Sequence, residues 1–163
     1  MNSLFIFFLA LPIFACLDSP TCEKERLLIN SCASKVTIFA SERRTIEEYG
    51  RIAREAEDVV KCIGTVKCVG SQKMVEIWKG EAENARIYGQ PKVFTCYQKL
   101  EAEGHMRKCE YTHQNPFDRC RRSKYICIGD LAKEQCGKDI GALMEKVGKN
   151  TFEACMFKQV LGK

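Results

Sequence analysis

Apolar residues recur at every third or fourth position along most of this chain. The clearest run covers residues 43 to about 66, and charged residues fill its opposite face, with Glu57 and Lys61 spaced as an i,i+4 pair. This period is typical of an amphipathic α-helix. The apolar face of the run consists of Ile46, Tyr49, Ile52, Ala53, Ala56, Val59, Val60 and Ile63.

Other stretches show the same helical period. We expect Ser19 or Asp18 to cap a first helix, Ser71 to cap a third, and Gly148 to end one near the end of the chain. The β-branched cluster at residues 36–39 also fits the first helix. The pattern therefore predicts an all-α fold, a small disulfide-braced domain of about five to six helices. Besides residues 43–66, the predicted helices cover residues 18–40, 71–89, 91–104, 120–136 and 140–148, with a short helical piece at 105–111.

The first residues predict an export signal. An apolar run begins at Leu4 and is too short to span a bilayer, which needs about 20 residues. Ala15 and Cys16 are both suitable before a cleavage site, and a faint likeness to a lipoprotein box is a further alternative. Removal of Cys16 leaves an even number of cysteines, so we place the signal at residues 1–16 and one cysteine-rich domain at residues 17–163.

Eleven of the 163 residues are cysteine, which in a short exported chain indicates a disulfide framework. If Cys62 and Cys68 lie on one helix, they are separated by a rise of about 9 Å, beyond the roughly 7 Å limit for a bridge. We therefore expect them to bond to two different segments; the sequence does not assign the pairs. The predicted disulfide cysteines are Cys22, Cys32, Cys62, Cys68, Cys96, Cys109, Cys120, Cys127, Cys136 and Cys155.

The order of these thiols and their flanking residues resembles a known family. The motifs are Val59-Val60-Lys61-Cys62, then Phe94-Thr95-Cys96-Tyr97-Gln98-Lys99-Leu100, then Cys136-Gly137. They are similar to the nematode-expanded secreted cysteine-rich domain called domain of unknown function nineteen, and the resemblance covers roughly residues 22–155. It implies a secreted domain with one more cysteine pair than this chain has, lost between Cys68 and Cys96. It implies no activity and no catalytic residues.

Charge and hydropathy limit the partners. The formal charge of +5 is interleaved with acidic residues, which does not indicate nucleic acid. No apolar stretch after the signal is long enough to predict a transmembrane segment, so we expect a secreted, extracellular protein. The strongest basic cluster is a candidate contact for an extracellular protein, a sulfated glycan or an anionic lipid, although such runs are commonly solvated faces. It contains Arg119, Arg121, Arg122 and Lys124.

The sequence offers few candidate residues for a metal site, a ligand cavity or catalysis. His105, Cys109 and His113 share a helical spacing, but an oxidised thiol is a poor zinc ligand, so we predict no metal site and no cofactor. Trp78, with Met74 and Ile77, is expected to be core rather than the lining of a ligand cavity. Neither histidine is followed by Asp, and there is no Gly-x-Ser-x-Gly elbow. We therefore expect a non-catalytic binding or interaction module for an unknown protein, glycan or small ligand. The first alternative is a small-ligand or lipid carrier, and the second is a secreted hydrolase.

Overall fold

The structure, a computed structural model, describes residues 19–34, 36, 45–109, 120 and 122–161. These ranges contain six α-helices and one short 3-10 helix, and no strand. The predicted all-α, disulfide-braced class is confirmed. The helices are α1 (Pro20–Ala33), α2 (Ile46–Ile63), α3 (Val69–Tyr88), α4 (Pro91–Ala102), the 3-10 helix (His105–Cys109), α5 (Arg122–Cys136) and α6 (Lys138–Leu161).

Local capping residues start the first two helices. The Ser19 hydroxyl accepts from the N–H of Cys22 at 3.2 Å, so Ser19 is the cap of α1. Thr45 and Glu48 form a reciprocal capping box, and α2 therefore begins at Ile46. The predicted end of this helix near residue 66 is wrong, because Gly64 has a φ of +66° and terminates it. The first helix ends at Ala33, and residues 37–40, where we expected it to continue, lie outside the described residues.

The start of α3 is built by a residue from α1. The prediction that Ser71 caps this helix is wrong: Ser71 is buried inside the first turn, and the cap position is Cys68. The Glu25 carboxylate of α1 accepts from the N–H groups of Lys67 and Cys68 at 2.8 and 3.1 Å. Because this acceptor is more than forty residues away in sequence, no local sequence motif predicts it.

Close packing explains why α6 is continuous. The prediction that Gly148 ends a helix is wrong, since α6 runs from Lys138 to Leu161. A Cβ atom at Gly148 would lie 2.5 Å from the Tyr125 Cβ of α5, and one at Gly141 would lie 2.8 Å from the Lys133 Cα. These glycines therefore let the backbones of α5 and α6 approach closely as an antiparallel pair joined at Gly137.

The helices enclose separate apolar clusters. α2 packs against α3, α3 packs against α6, and α1 covers α2 and the start of α3. The smallest cluster, around Tyr49, Ala53 and Ala85, joins α2 to α3. The N-terminal cluster contains Ile29, Cys32, Val59, Ile63, Val66 and Val75. The C-terminal cluster contains Ile87, Val93, Cys96, Leu100, Ala132, Met144 and Val147.

The ten cysteines named from the sequence form five disulfides in two sets. The N-terminal set is Cys22–Cys68 and Cys32–Cys62, and the C-terminal set is Cys96–Cys136, Cys109–Cys127 and Cys120–Cys155. Among these ten cysteines, no bridge joins one set to the other.

The expectation that Cys62 and Cys68 bond to two different segments is wrong. They do not bond to each other, but both partners lie on α1. Cys22 is in the first turn of α1 and Cys32 in its last, about 15 Å apart along the helix axis. The two bridges therefore clamp one helix at both ends across the turn that joins α2 to α3.

Candidate functional site

A cleft of about 520 Å³ lies over α3, with α2 on one side and α6 on the other. Its position follows from the packing order, because α3 contacts both neighbours and leaves a trough between them. α2 belongs to the part braced by the N-terminal disulfide set, and α6 to the part braced by the C-terminal set. The cleft is lined by Glu57, Val60, Lys61, Lys79, Ala82, Glu83, Arg86, Ile87, Gln90, Leu143 and Lys146.

The rim of the cleft carries four basic and two acidic side chains, an excess of two positive charges. Both carboxylates are already paired: Glu57 with Arg86 of α3, and Glu83 with Lys146 of α6, the latter at 2.6 Å. The predicted pairing of Glu57 with Lys61 is replaced by the bridge to Arg86, because the packing of α3 on α2 brings that guanidinium within reach.

The remaining two rim cations lie at one end of the cleft. Lys61 pairs with Asp58 at 3.2 Å, but both side chains are more than two-thirds exposed, so this pair is weak. Lys79 is exposed and has no ion-pair partner within the described ranges. These two ammonium groups are therefore available to a ligand.

A polar network holds α3 against α6 beside the cleft. The Asn150 amide donates to the Asn84 side-chain oxygen at 3.0 Å and to the Glu83 carboxylate at 3.1 Å. The Thr151 hydroxyl accepts from Asn84 and donates to the carbonyl of Val147 at 2.8 Å. Hydrogen bonding to Lys146, then to Asn150, lowers the pKa of Glu83 against the opposing effect of desolvation. Glu83 therefore stays ionised and keeps the α6 wall in place.

The floor of the cleft is aliphatic. Ala82 and Ile87 are buried there, while Val60 and Leu143 are half-buried on the two walls. An apolar floor with a few charged groups at the rim is the usual composition of a ligand-binding site. Nothing in the sequence singled these residues out, because each separately fits an ordinary amphipathic helix and only the packing of three helices brings them together.

The basic cluster predicted from the sequence falls mostly outside the described residues. Arg119 and Arg121 are not described, and Arg122 is the first residue of α5, with its side chain outside the description. Lys124 is half-buried near the start of α5. None of the four is among the residues that line the cleft. Their proposed partner contact therefore stays a prediction.

The histidine–cysteine spacing does not assemble a site in the described part of the chain. Cys109 is fully buried and bonded to Cys127. His105 lies half-buried in the 3-10 helix with its Nε2 atom 3.0 Å from the Glu103 carboxylate, and His113 is not described. Across the described ranges, no three His, Cys, Asp or Glu side chains come together as a metal centre would require.

Trp78 and Met74 pack against the N-terminal apolar cluster, as expected for core residues. Ile77 is half-buried on α3. A second groove of about 410 Å³ borders the Cys96–Cys136 disulfide and is more open than the cleft. The exposed Lys92 and Lys99 lie at its edge.

None of the described helices has the length and apolarity needed to cross a membrane. Comparisons with protein-family models, with curated proteins and with solved structures find no match to this chain. The likeness in cysteine order to the nematode-expanded family therefore stays an expectation from the sequence.

Proposed function

We propose that this chain is a secreted, disulfide-braced helical binding module whose ligand occupies the cleft between α2, α3 and α6. The observation that carries the proposal is the cleft itself, an aliphatic floor bordered by an excess of basic side chains. Such a surface provides apolar contact and charge recognition together, which is what a binding site needs.

Secretion is supported by the five disulfides and by the apolar first residues. Structural disulfides form and persist in oxidising compartments, and are rare where thiols are kept reduced. The signal at residues 1–16 and the single domain at 17–163 remain predictions, because residues 1–18 lie outside the described part of the chain.

The composition of the cleft favours binding over catalysis. Its lining consists of Lys, Arg, Glu, Gln and aliphatic side chains, and both carboxylates are committed to ion pairs. A general acid or base needs a pKa near the operating pH, whereas the pKa of Glu83 is moved further down. The proposal therefore assigns this site to recognition.

Photo-crosslinking from inside the cleft tests the proposal. The mature protein is made with a photoreactive amino acid at position 79, and in a matched control at position 24, an exposed lysine site on α1. Each is irradiated in extracellular fluid from the protein's source and analysed by mass spectrometry. We expect a species joined to position 79, absent at position 24 and competed away by excess unlabelled protein. Equal labelling at both positions, or none that competes, would refute a ligand in the cleft.

A further inference from the structure

The charges along the cleft are arranged unevenly. Towards one end the cleft is lined by Lys61 of α2 and Lys79 of α3, and the lining carboxylates one helical turn from them, Glu57 and Glu83, are paired with other cations. Further along the cleft, the charge of Arg86 is neutralised by Glu57 and the charge of Lys146 by Glu83. One end of the cleft is therefore cationic, and the other end is nearly neutral.

The neutral end also carries the largest apolar side chains of the C-terminal part that line the cleft. Ile87 of α3 and Leu143 of α6 both belong to the C-terminal cluster or pack against it, and both line the cleft there. Lys79 lies eight residues before Ile87, or about 12 Å along the helix axis. Since a lysine side chain can span about half of that distance, a ligand that contacts both ends must carry its negative group about 6 Å from its apolar body.

The volume limits the size of that ligand. At about 30 Å³ for each water-sized volume, 520 Å³ corresponds to a ligand on the order of twenty non-hydrogen atoms. Two turns of a partner helix, about 10 Å across and about 11 Å long, fill on the order of 850 Å³ and exceed it. A compact small molecule would therefore fill the cleft, whereas a docked helix would enter it with only part of its surface.

We infer that the cleft binds a small amphipathic anion: a carboxylate, sulfonate or phosphate against Lys61 and Lys79, and a compact apolar body over Ile87 and Leu143. This inference rests on the proposed binding function and names its ligand class. Because the cleft is open along one side, a long acyl chain would leave much of its surface in water. The fitting ligands are compact rather than long-chain.

Two fluorescent probes that share one ring system test this inference. 8-Anilinonaphthalene-1-sulfonate carries the negative group, and N-phenyl-1-naphthylamine lacks it. We expect the sulfonate to bind the mature protein at least about tenfold more tightly than the neutral amine. Added sodium chloride should weaken the sulfonate alone, since exposed charges are screened by salt. Equal affinity for the two probes would overturn the inference.

Matched variants locate the binding. Lys79→Glu should lower the affinity for the sulfonate about tenfold and leave the affinity for the amine unchanged. Lys24→Glu makes the same charge change on α1 and should alter neither affinity. Leu143→Gln should weaken both probes, and near-ultraviolet circular dichroism checks that each variant is folded. If Lys79→Glu and Lys24→Glu weaken the sulfonate equally, the effect is one of net charge and the inference fails. If cross-linking at position 79 still captures a competed species in that case, the binding function stands and only the ligand class is wrong.

Discussion

The two disulfide sets brace the protein in different ways. The N-terminal set attaches both ends of one helix, α1, to the turn between α2 and α3. The C-terminal set joins the end of α5 to α4, the middle of α5 to the 3-10 helix, and residue 120 to α6. The first set therefore acts as a clamp on a single covering helix, whereas the second links several elements around a shared apolar core.

The C-terminal and N-terminal parts also differ in how their helices are held together. In the C-terminal part, Gly141 and Gly148 let α5 and α6 meet almost backbone to backbone. In the N-terminal part, α1 is fixed to α3 by a polar contact, the Glu25 carboxylate on the N–H groups of Lys67 and Cys68. The cleft lies where the two parts meet, and no disulfide among the ten described cysteines crosses that boundary. Its shape depends on side-chain contacts between α3 and α6, such as Asn84 with Asn150.

Removing an N-terminal bridge should give the largest effect. Because Cys32–Cys62 is nested inside the Cys22–Cys68 loop, Cys22→Ser with Cys68→Ser opens an effective loop of roughly 17 residues, which the chain-entropy relation places at about 3 kcal/mol of unfolding free energy. We expect hydrogen exchange to rise in α1 while α5 and α6 stay protected, because the C-terminal set is untouched. Paired serines at Cys109 and Cys127 are the control and should expose the opposite part. Equal loss of protection throughout would contradict the separation of the two sets.

Adding one methyl group to α6 should give the next largest effect. In Gly141→Ala the new Cβ meets the backbone of α5, so we expect a net loss of about 2 kcal/mol by urea titration. Gly50→Ala is the matched control on α2, where the nearest atom is the Arg54 guanidinium at 3.6 Å. This control should gain about 0.5 to 1 kcal/mol from the better helix propensity of alanine. A neutral Gly141→Ala would show that close packing does not hold α5 against α6.

Replacing the carboxylate that joins α1 to α3 should give the smallest of these effects. Glu25→Gln weakens the hydrogen bonds to the start of α3, and we expect a loss of about 1 kcal/mol at neutral pH, since the side chain is half-exposed. Glu101→Gln, an exposed change at the end of α4, is the control and should be near zero.

The effect at Glu25 should depend on pH. The N–H of Lys67 lowers the pKa of this carboxyl most, against desolvation, and the N–H of Cys68 and the Ser71 hydroxyl lower it further. A carboxyl whose pKa is lowered by folding contributes stability above its unfolded value of about 4.3 and loses it as pH falls through the folded value. The gap in unfolding free energy between wild type and Glu25→Gln should therefore be full at pH 7 and should shrink progressively as pH falls below about 4.3. A gap that persists at pH 2 would contradict this origin.

The sequence predicted the helices where local signals decide them. The amphipathic period placed α2 well, and Gly89 before Pro91 correctly separated α3 from α4. The prediction from sequence failed where a residue distant in the chain determines where a helix begins or ends. Ser71 has the local signature of a cap, but the actual acceptor, Glu25, is remote in sequence. Gly148 has the signature of a stop, but its role is to admit Tyr125 when α5 and α6 pack.

The candidate site was less accessible to sequence reasoning than the fold. Lys61, Lys79, Arg86 and Lys146 each fit a solvated helical face, and only the order α2, α3, α6 places them around one cleft. The error over Cys62 and Cys68 has a similar cause. A continuous helix would carry the two thiols apart along its axis, but Gly64 ends α2 between them and both thiols bond to α1.

Peptide mapping of the non-reduced protein by mass spectrometry tests whether the two disulfide sets are separate and meet at the cleft without a bridge between them. We expect Cys22–Cys68 and Cys32–Cys62 in one group of peptides, and Cys96–Cys136, Cys109–Cys127 and Cys120–Cys155 in another. No peptide should link the two groups after cleavage between α3 and α4. A bridge from any of the first four cysteines to any of the last six would show that the two sets are not separate.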